Sequence, residues 1–182
     1  MTTIHSDTSA RNVFLIGFMG CGKSTIASDL SASLNRPVLE MDEEIERREG
    51  MSISEIFSLH GEPYFREAET SLLKETSSRG GFLVSCGGGA AMRSENVQEM
   101  KKNGIIILLT ALPETILSRV ADDENRPLLK NHKNICDISA LIQKRKPAYE
   151  AAADYSVTTD NRSARQIADE ILEILEKEGM LS

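Results

Sequence analysis

The stretch Gly17-Phe18-Met19-Gly20-Cys21-Gly22-Lys23-Ser24 satisfies the pattern GxxxxGK[ST], and no other feature of the chain constrains its fold as tightly. It stands directly after an apolar run at 13–16 and directly before residues at helical spacing, Ile26, Leu30 and Leu34. A strand that ends in a glycine-rich turn and continues as a helix is the setting in which such a loop cradles phosphate. Glycines at 17, 20 and 22 let the backbone curl until its N–H groups face phosphate oxygens, and the helix adds the positive end of its dipole. In that geometry Lys23 reaches the β- and γ-phosphates and the Ser24 hydroxyl coordinates Mg2+, with Gly20, Cys21, Gly22 and Thr25 beside the nucleotide. Nucleotide binding is the first functional expectation.

The run at 13–16 does not alternate apolar with polar residues, as expected of a strand covered on both faces of a parallel sheet. Similar runs occur at 37–41, 82–85 and 105–109, with a weaker one at 155–158. Segments of helical period lie between them and after them, Ile167, Ile171, Ile174 and Leu175 among the clearest. Ser52 with Glu55 forms a capping box ahead of Ile56, Pro63 and Pro113 suit first helical turns, and Gly104 and Gly179 sit where helices should stop. Strand and helix in alternation imply right-handed crossovers, hence an α/β three-layer sandwich on a five-stranded parallel sheet with ligands at the carboxyl ends of the strands. One domain over 13–182 holds this pattern, behind a flexible leader at 1–12. The polar stretch 121–134 lacks a clear period, and a loop of that length is expected to serve as a small lid.

Composition removes several classes of function. A net charge of −7 over 182 residues argues against a general polyanion-binding surface, so nucleic acid is not an expected partner. No apolar run approaches the roughly 20 residues of a membrane span, and the polar start lacks the features of a secretory signal. Cys21, Cys86 and Cys136 are odd in number and widely spaced, which suits reduced thiols in the cytoplasm, and His5, His60 and His132 are scattered without metal-ligand spacing.

A P-loop alone does not separate a kinase from a switch or a motor, although no NKxD-like guanine signature is present. The run at 37–41 leads into Glu40-Met41-Asp42, where strand alternation would set both carboxylates on one side near the P-loop. One could then hold metal and the other accept a proton from a substrate hydroxyl. Asp42, Glu43 and Glu44 equally suit the first turn of a helix, whose dipole they complement, and both readings stand at this point. Gly87-Gly88-Gly89 follows the third run, where its cost in chain entropy fits a close approach of ligand to backbone. Arg66, Arg126 and Arg145 fall near the same rim and supply local cations for an anionic ligand.

Taken together, GFMGCGKST from Gly17, MDEEIE around Asp42, FREAE from Phe65, the glycines from Gly87, RPLL from Arg126 and KRKPAY from Lys144 resemble the shikimate kinases over nearly the whole chain. The resemblance implies P-loop kinase architecture with a small lid, and transfer of the ATP γ-phosphate to the 3-hydroxyl of shikimate. It implies Lys23 and Ser24 on ATP and Mg2+, Asp42 as general base and acceptor contact, and Arg66 and Arg145 on the shikimate carboxylate. The backbone at Gly87, Gly88 and Gly89 would touch the same ligand. Arg126 matches a lid arginine over the phosphates and thus a catalytic group, and Arg119 a residue that packs on adenine, with Asn161 and Arg162 near the other side of the base. Two planar guanidinium groups would explain how an acidic chain accepts an acidic substrate. A monomer is expected. One position departs from the family pattern: Glu40 stands where an Asp is usual, which moves the carboxylate that would hold Mg2+ through water one methylene farther out. A related kinase for another hydroxy acid, aminoshikimate- or gluconate-like, and a nucleotide-binding switch without an acceptor are the alternatives.

Overall fold

The apolar runs do become strands. The computed structural model of the protein describes residues 10–120 and 135–181. In chain order its elements are β1 (Asn12–Ile16), α1 (Lys23–Leu34), β2 (Val38–Glu40), α2 (Met41–Glu49), α3 (Ile53–Ser77), β3 (Leu83–Ser85), a 3-10 turn (Ala90–Met92), α4 (Ser94–Lys102), β4 (Gly104–Thr110), α5 (Pro113–Val120), α6 (Ile135–Ala152), β5 (Tyr155–Thr158) and α7 (Ala164–Lys177). The strands pair in parallel in the order β2-β3-β1-β4-β5, as the α/β reading requires.

Alternate residues of one strand serve two separate cores, which is why the runs look uniformly apolar in sequence. Val13 and Leu15 of β1 join Ile105, Ile107 and Leu109 of β4 in a cluster under α1 and α7, closed by Ile26, Leu30, Ile171 and Leu175. Phe14 and Ile16 join Ile106 and Leu108 in a second cluster on the other face, under Leu73 of α3, Met100 of α4, Ile116 of α5 and Tyr149 of α6. Each such fully buried side chain contributes about 1.5–3 kcal/mol by leaving water. The two clusters make the three layers.

Local signals place the helix ends. Ser52 and Glu55 close the expected capping box at the start of α3, Pro113 opens α5, and Gly179, at φ 66°, ends α7. Within α3 the backbone breaks at Gly61, at φ 81°, so Pro63 sits in the first turn of a second helical segment rather than inside a continuous one. Gly104 has a different role from a helix stop: it begins β4, and a Cβ there would run into the ring of Phe14. Asn12, read as the end of a leader, is instead the first residue of β1, fully buried, donating to the carbonyls of Thr76 and Arg79 and accepting from the Phe82 N–H. The remaining leader positions 1–9 and the expected lid at 121–134 lie outside the described residues. Among the described residues no helix is long and apolar enough to cross a membrane, and Cys21, Cys86 and Cys136 are free thiols.

Candidate active site

A cleft of about 1030 Å³ opens at the carboxyl ends of β1, β2 and β3, lined by the P-loop, the start of α2, α3 and the loop after β3. On the P-loop side, Gly17, Gly20 and Gly22 all have positive φ, and Gly22, at φ 101°, is the residue from which α1 starts. A side chain at that position would be strained, and the glycine leaves the first N–H groups of α1 facing the cleft. Lys23 Nζ donates to the carbonyls of Gly17 at 3.0 Å and Phe18 at 3.2 Å, which keeps its ammonium inside the curve of the loop. Ser24 Oγ donates to Glu40 Oε2 at 3.0 Å and lies 3.4 Å from Ser85 Oγ. This group of oxygens, with a single carboxylate, suits a hard cation that completes its shell with water and phosphate oxygens.

The carboxylate pair forms differently from the strand-alternation expectation. β2 ends at Glu40, and Asp42 is in the first turn of α2, so a strand-to-helix junction brings both into the cleft. The helix-start reading of Asp42, Glu43 and Glu44 therefore describes the local structure correctly, and Asp42 nevertheless faces the site. Met41 between them is fully buried and fixes the junction against the core.

Beyond Asp42, the three glycines after β3 are surrounded by charged side chains. A Cβ at Gly87 would stand 2.6 Å from Glu69 Oε1 and 2.8 Å from Asp42 Oδ1, and one at Gly89 would stand 2.8 Å from Arg66 Cζ. A side chain at either position would displace the charged groups of the site, a more specific reason for glycine than flexibility. At Gly88 a Cβ would lie 3.8 Å from Arg145 Nη1, which also donates to the Gly88 carbonyl at 3.3 Å. Arg66 and Arg145 thus reach adjacent residues of one loop from α3 and α6, and Arg145 also packs on the Phe18 ring of the P-loop at 5.6 Å.

Glu69 is the residue that the sequence reading missed. Arg66 Nη1 donates to its Oε2 at 2.6 Å, while Nε and Nη2 donate to Glu62 Oε1 at 3.1 and 2.7 Å. Glu69 is fully buried, and its Oε1 has no hydrogen-bond partner among the described residues. Burial pushes its carboxyl above the usual range against the pull of Arg66, and the charge of Asp42 pushes the same way as burial. Burial would lower the Arg66 guanidinium, but Glu69 and Glu62 overcome it and hold the group firmly charged. A signal was available in the sequence, since Phe65, Glu69, Leu72 and Leu73 fall on one helical stripe and a carboxylate on an apolar stripe calls for a buried cation. Ser85 and Tyr149 carried no such signal.

The remaining expected residues divide into three groups. Gly20, Gly22, Thr25 and Arg119 line the cleft with Lys23 and Ser24. Arg119 donates to the Gly20 carbonyl at 3.3 Å and to Thr159 Oγ1 at 3.0 Å, which ties the P-loop to the loop after β5. Cys21 does not line the cleft: its side chain is fully buried in the core under α1, where it acts as a small filler, and only its backbone belongs to the loop. Arg162 does not line it either, because its guanidinium is folded back onto α7, paired with Glu170 and donating to the carbonyls of Thr158 and Gln166. Asn161 adopts a left-handed turn at φ 53°. Arg126 lies outside the described residues.

A family model described as shikimate kinase matches residues 19–176. Among curated relatives, a protein named shikimate kinase from Buchnera aphidicola subsp. Schizaphis graminum is 42% identical over 168 residues, covering 92% of this chain and 97% of its own. One of the same name from Persephonella marina is 43% identical over 162 residues, covering 89% and 97%. Among solved structures, shikimate kinase from Acinetobacter baumannii in complex with shikimate superposes with a TM-score of 0.88 at 36% identity, over 94% of this chain and 96% of that one.

Proposed function

The chain belongs to the shikimate kinase family, and on that premise we propose that its cleft transfers the γ-phosphate of ATP to the 3-hydroxyl of shikimate, giving shikimate 3-phosphate and ADP. The observation that carries this reading is the meeting of Arg66 and Arg145 at Gly88 and Gly89, beside Asp42 and in the same cleft as the P-loop. Two guanidinium groups at neighbouring glycines make a clamp for one carboxylate, and a carboxylate base next to that clamp faces a hydroxyl of the same small molecule. A nucleotide switch would need neither.

In the reaction, Asp42 accepts the proton of the 3-hydroxyl as its oxygen attacks the γ-phosphorus and the bond to the β-phosphate bridging oxygen breaks. Lys23 and the N–H groups at the start of α1 stabilise the charge that spreads over the transferring group and ADP. The Ser24 hydroxyl, and Glu40 through water, would hold Mg2+, which would supply charge neutralisation of the phosphate oxygens. Arg119 flanks the base, and Arg126 belongs to the same proposal as a cation over the phosphates. Arg66 is held in its rotamer by Glu69 and Glu62, so the clamp is ordered before the acceptor arrives. A monomer acting on small metabolites in the cytoplasm belongs to the same proposal.

Release of ADP measured with and without shikimate tests the reading. ADP should appear in step with shikimate 3-phosphate and stay near background without acceptor. Nucleotide hydrolysis indifferent to shikimate, or faster turnover of a gluconate- or aminoshikimate-like acid, would overturn it.

A further inference from the structure

The two arginines of the clamp are held in unlike ways. Arg66 donates to two carboxylates, Glu62 and Glu69. The contacts seen for Arg145 are with neutral groups: the Gly88 carbonyl at 3.3 Å and the ring of Phe18 at 5.6 Å. Tyr149 follows Arg145 by one helical turn on α6, so both project from the same face. Its ring is buried in the core beneath the sheet, 4% exposed, and its hydroxyl donates to the same Gly88 carbonyl at 2.6 Å. A single carbonyl of the glycine loop is therefore fixed by a hydroxyl and a guanidinium from one helix.

We propose that Tyr149 is a positioning residue for the acceptor: by sharing the Gly88 carbonyl its hydroxyl fixes the peptide against which the Arg145 guanidinium rests, without itself adding a negative charge that would compete with the shikimate carboxylate. A carboxylate in that place would orient Arg145 equally well but would compete with the substrate for it, as Glu62 and Glu69 do for Arg66. Tyrosine avoids this, since burial pushes its hydroxyl up to about 12 and it stays neutral across the working range of the enzyme. Fixing the Gly88 carbonyl also fixes the trans peptide that follows, so the Gly89 N–H is turned away from Tyr149. The acceptor loop and one arm of the clamp then move as a unit.

The inference rests on the shikimate kinase reading and is tested on Tyr149→Phe, which keeps the ring and removes only the hydroxyl. Wild-type protein assayed for shikimate-dependent ADP release first tests that reading by itself, so failure there is distinguishable from failure of the Tyr149 assignment. The variant should melt within about 5 °C of wild type, the scale of one buried hydrogen bond in a chain of this size. Its KM for shikimate should rise roughly tenfold while KM for ATP is unchanged, the pattern of lost acceptor binding. Because Tyr149 acts through Arg145, adding Tyr149→Phe to Arg145→Lys should raise KM for shikimate by less than about twofold further. An unchanged KM for shikimate in active Tyr149→Phe enzyme, an equal rise in both KM values, or full additivity with Arg145→Lys would overturn the proposal. Failure of Tyr149→Phe to fold would also overturn it, because the hydroxyl would then be a determinant of the fold.

Discussion

In the proposed function the nucleotide end of the cleft takes its phosphate-binding groups from one unbroken stretch, Gly17 to Ser24, whereas the acceptor end draws Asp42 from α2, Arg66 and Glu69 from α3, the glycines from the loop after β3, and Arg145 and Tyr149 from α6. The first end relies on backbone: positive φ at three glycines and the N–H groups that begin α1. The second relies on side chains that hold one another through ion pairs and a shared carbonyl. A backbone site keeps its shape as long as the strand and helix around it are packed. A side-chain site depends on several elements at once, so its losses should show as acceptor binding and its partners should be coupled.

The largest effect should come from Lys23→Met, which removes the charge aimed at the transferring group and no core contact. Phosphoryl transfer should fall to near background with a melting curve like that of wild type. Substantial turnover by the folded variant would show that the P-loop end does not carry the chemistry. Asp42→Asn comes next, with a drop of about 10² to 10⁴-fold that extra Mg2+ does not restore. Rescue by metal would move Asp42 from the acceptor end to the nucleotide end.

Glu69→Gln sharpens the comparison within the acceptor end. It leaves the Arg66 hydrogen bond possible but removes the buried charge that holds it, so KM for shikimate should rise by about three- to tenfold with KM for ATP constant. Steady-state kinetics in both substrates decide this, and an equal change in the two KM values would mean that Glu69 supports the whole cleft. For Glu40→Gln a smaller change is expected, read in a Mg2+ titration as a higher metal requirement that excess metal largely corrects, with shikimate affinity in the absence of nucleotide unaltered. Glu40→Asp should be tolerated.

The smallest effect concerns α2 and α3, the helices that carry Asp42 and Arg66. The Arg47 hydrogen bond, with that of Arg48, holds the Glu44 carboxyl down to about 2 from an ordinary value of 4.5, and Arg48 also bridges to Glu75 of α3. A carboxyl whose folded value lies below its unfolded one stabilises the fold above that unfolded value, and the contribution is lost as pH falls toward 2. Glu44→Gln should therefore flatten the acid limb of the melting temperature by no more than about 2–4 °C, since Arg47 is well exposed and water screens the pair. An acid limb identical in the two proteins would show that this ion pair does not tie the acceptor helices together.

Much of the fold could be read from spacing. The runs at 13–16, 82–85, 105–109 and 155–158 became strands within a residue at each end, and the capping box at Ser52 and the turn at Gly179 fell where expected. Asp42 was harder, because a junction that changes from period 2 to period 3.6 between Glu40 and Asp42 satisfies both patterns in so short a stretch. Cys21 and Arg162 were placed beside the nucleotide by adjacency and resemblance; the core holds the Cys21 thiol, which leaves its backbone to the loop, and the Arg162 guanidinium is paired with Glu170. Adjacency in sequence does not state which way a side chain turns.

By itself the sequence determined the P-loop, the parallel sheet and the family to which the chain belongs, because each depends on residues that are neighbours along the chain or repeat with a local period. Only the tertiary structure decided that Glu69 lies beneath Arg66, that side chains at Gly87 and Gly89 would displace charged groups of the site, and that Arg145 and Tyr149 share the Gly88 carbonyl. Those contacts join residues far apart in the chain, and their strength comes from burial, which exists only once both sheet faces are covered.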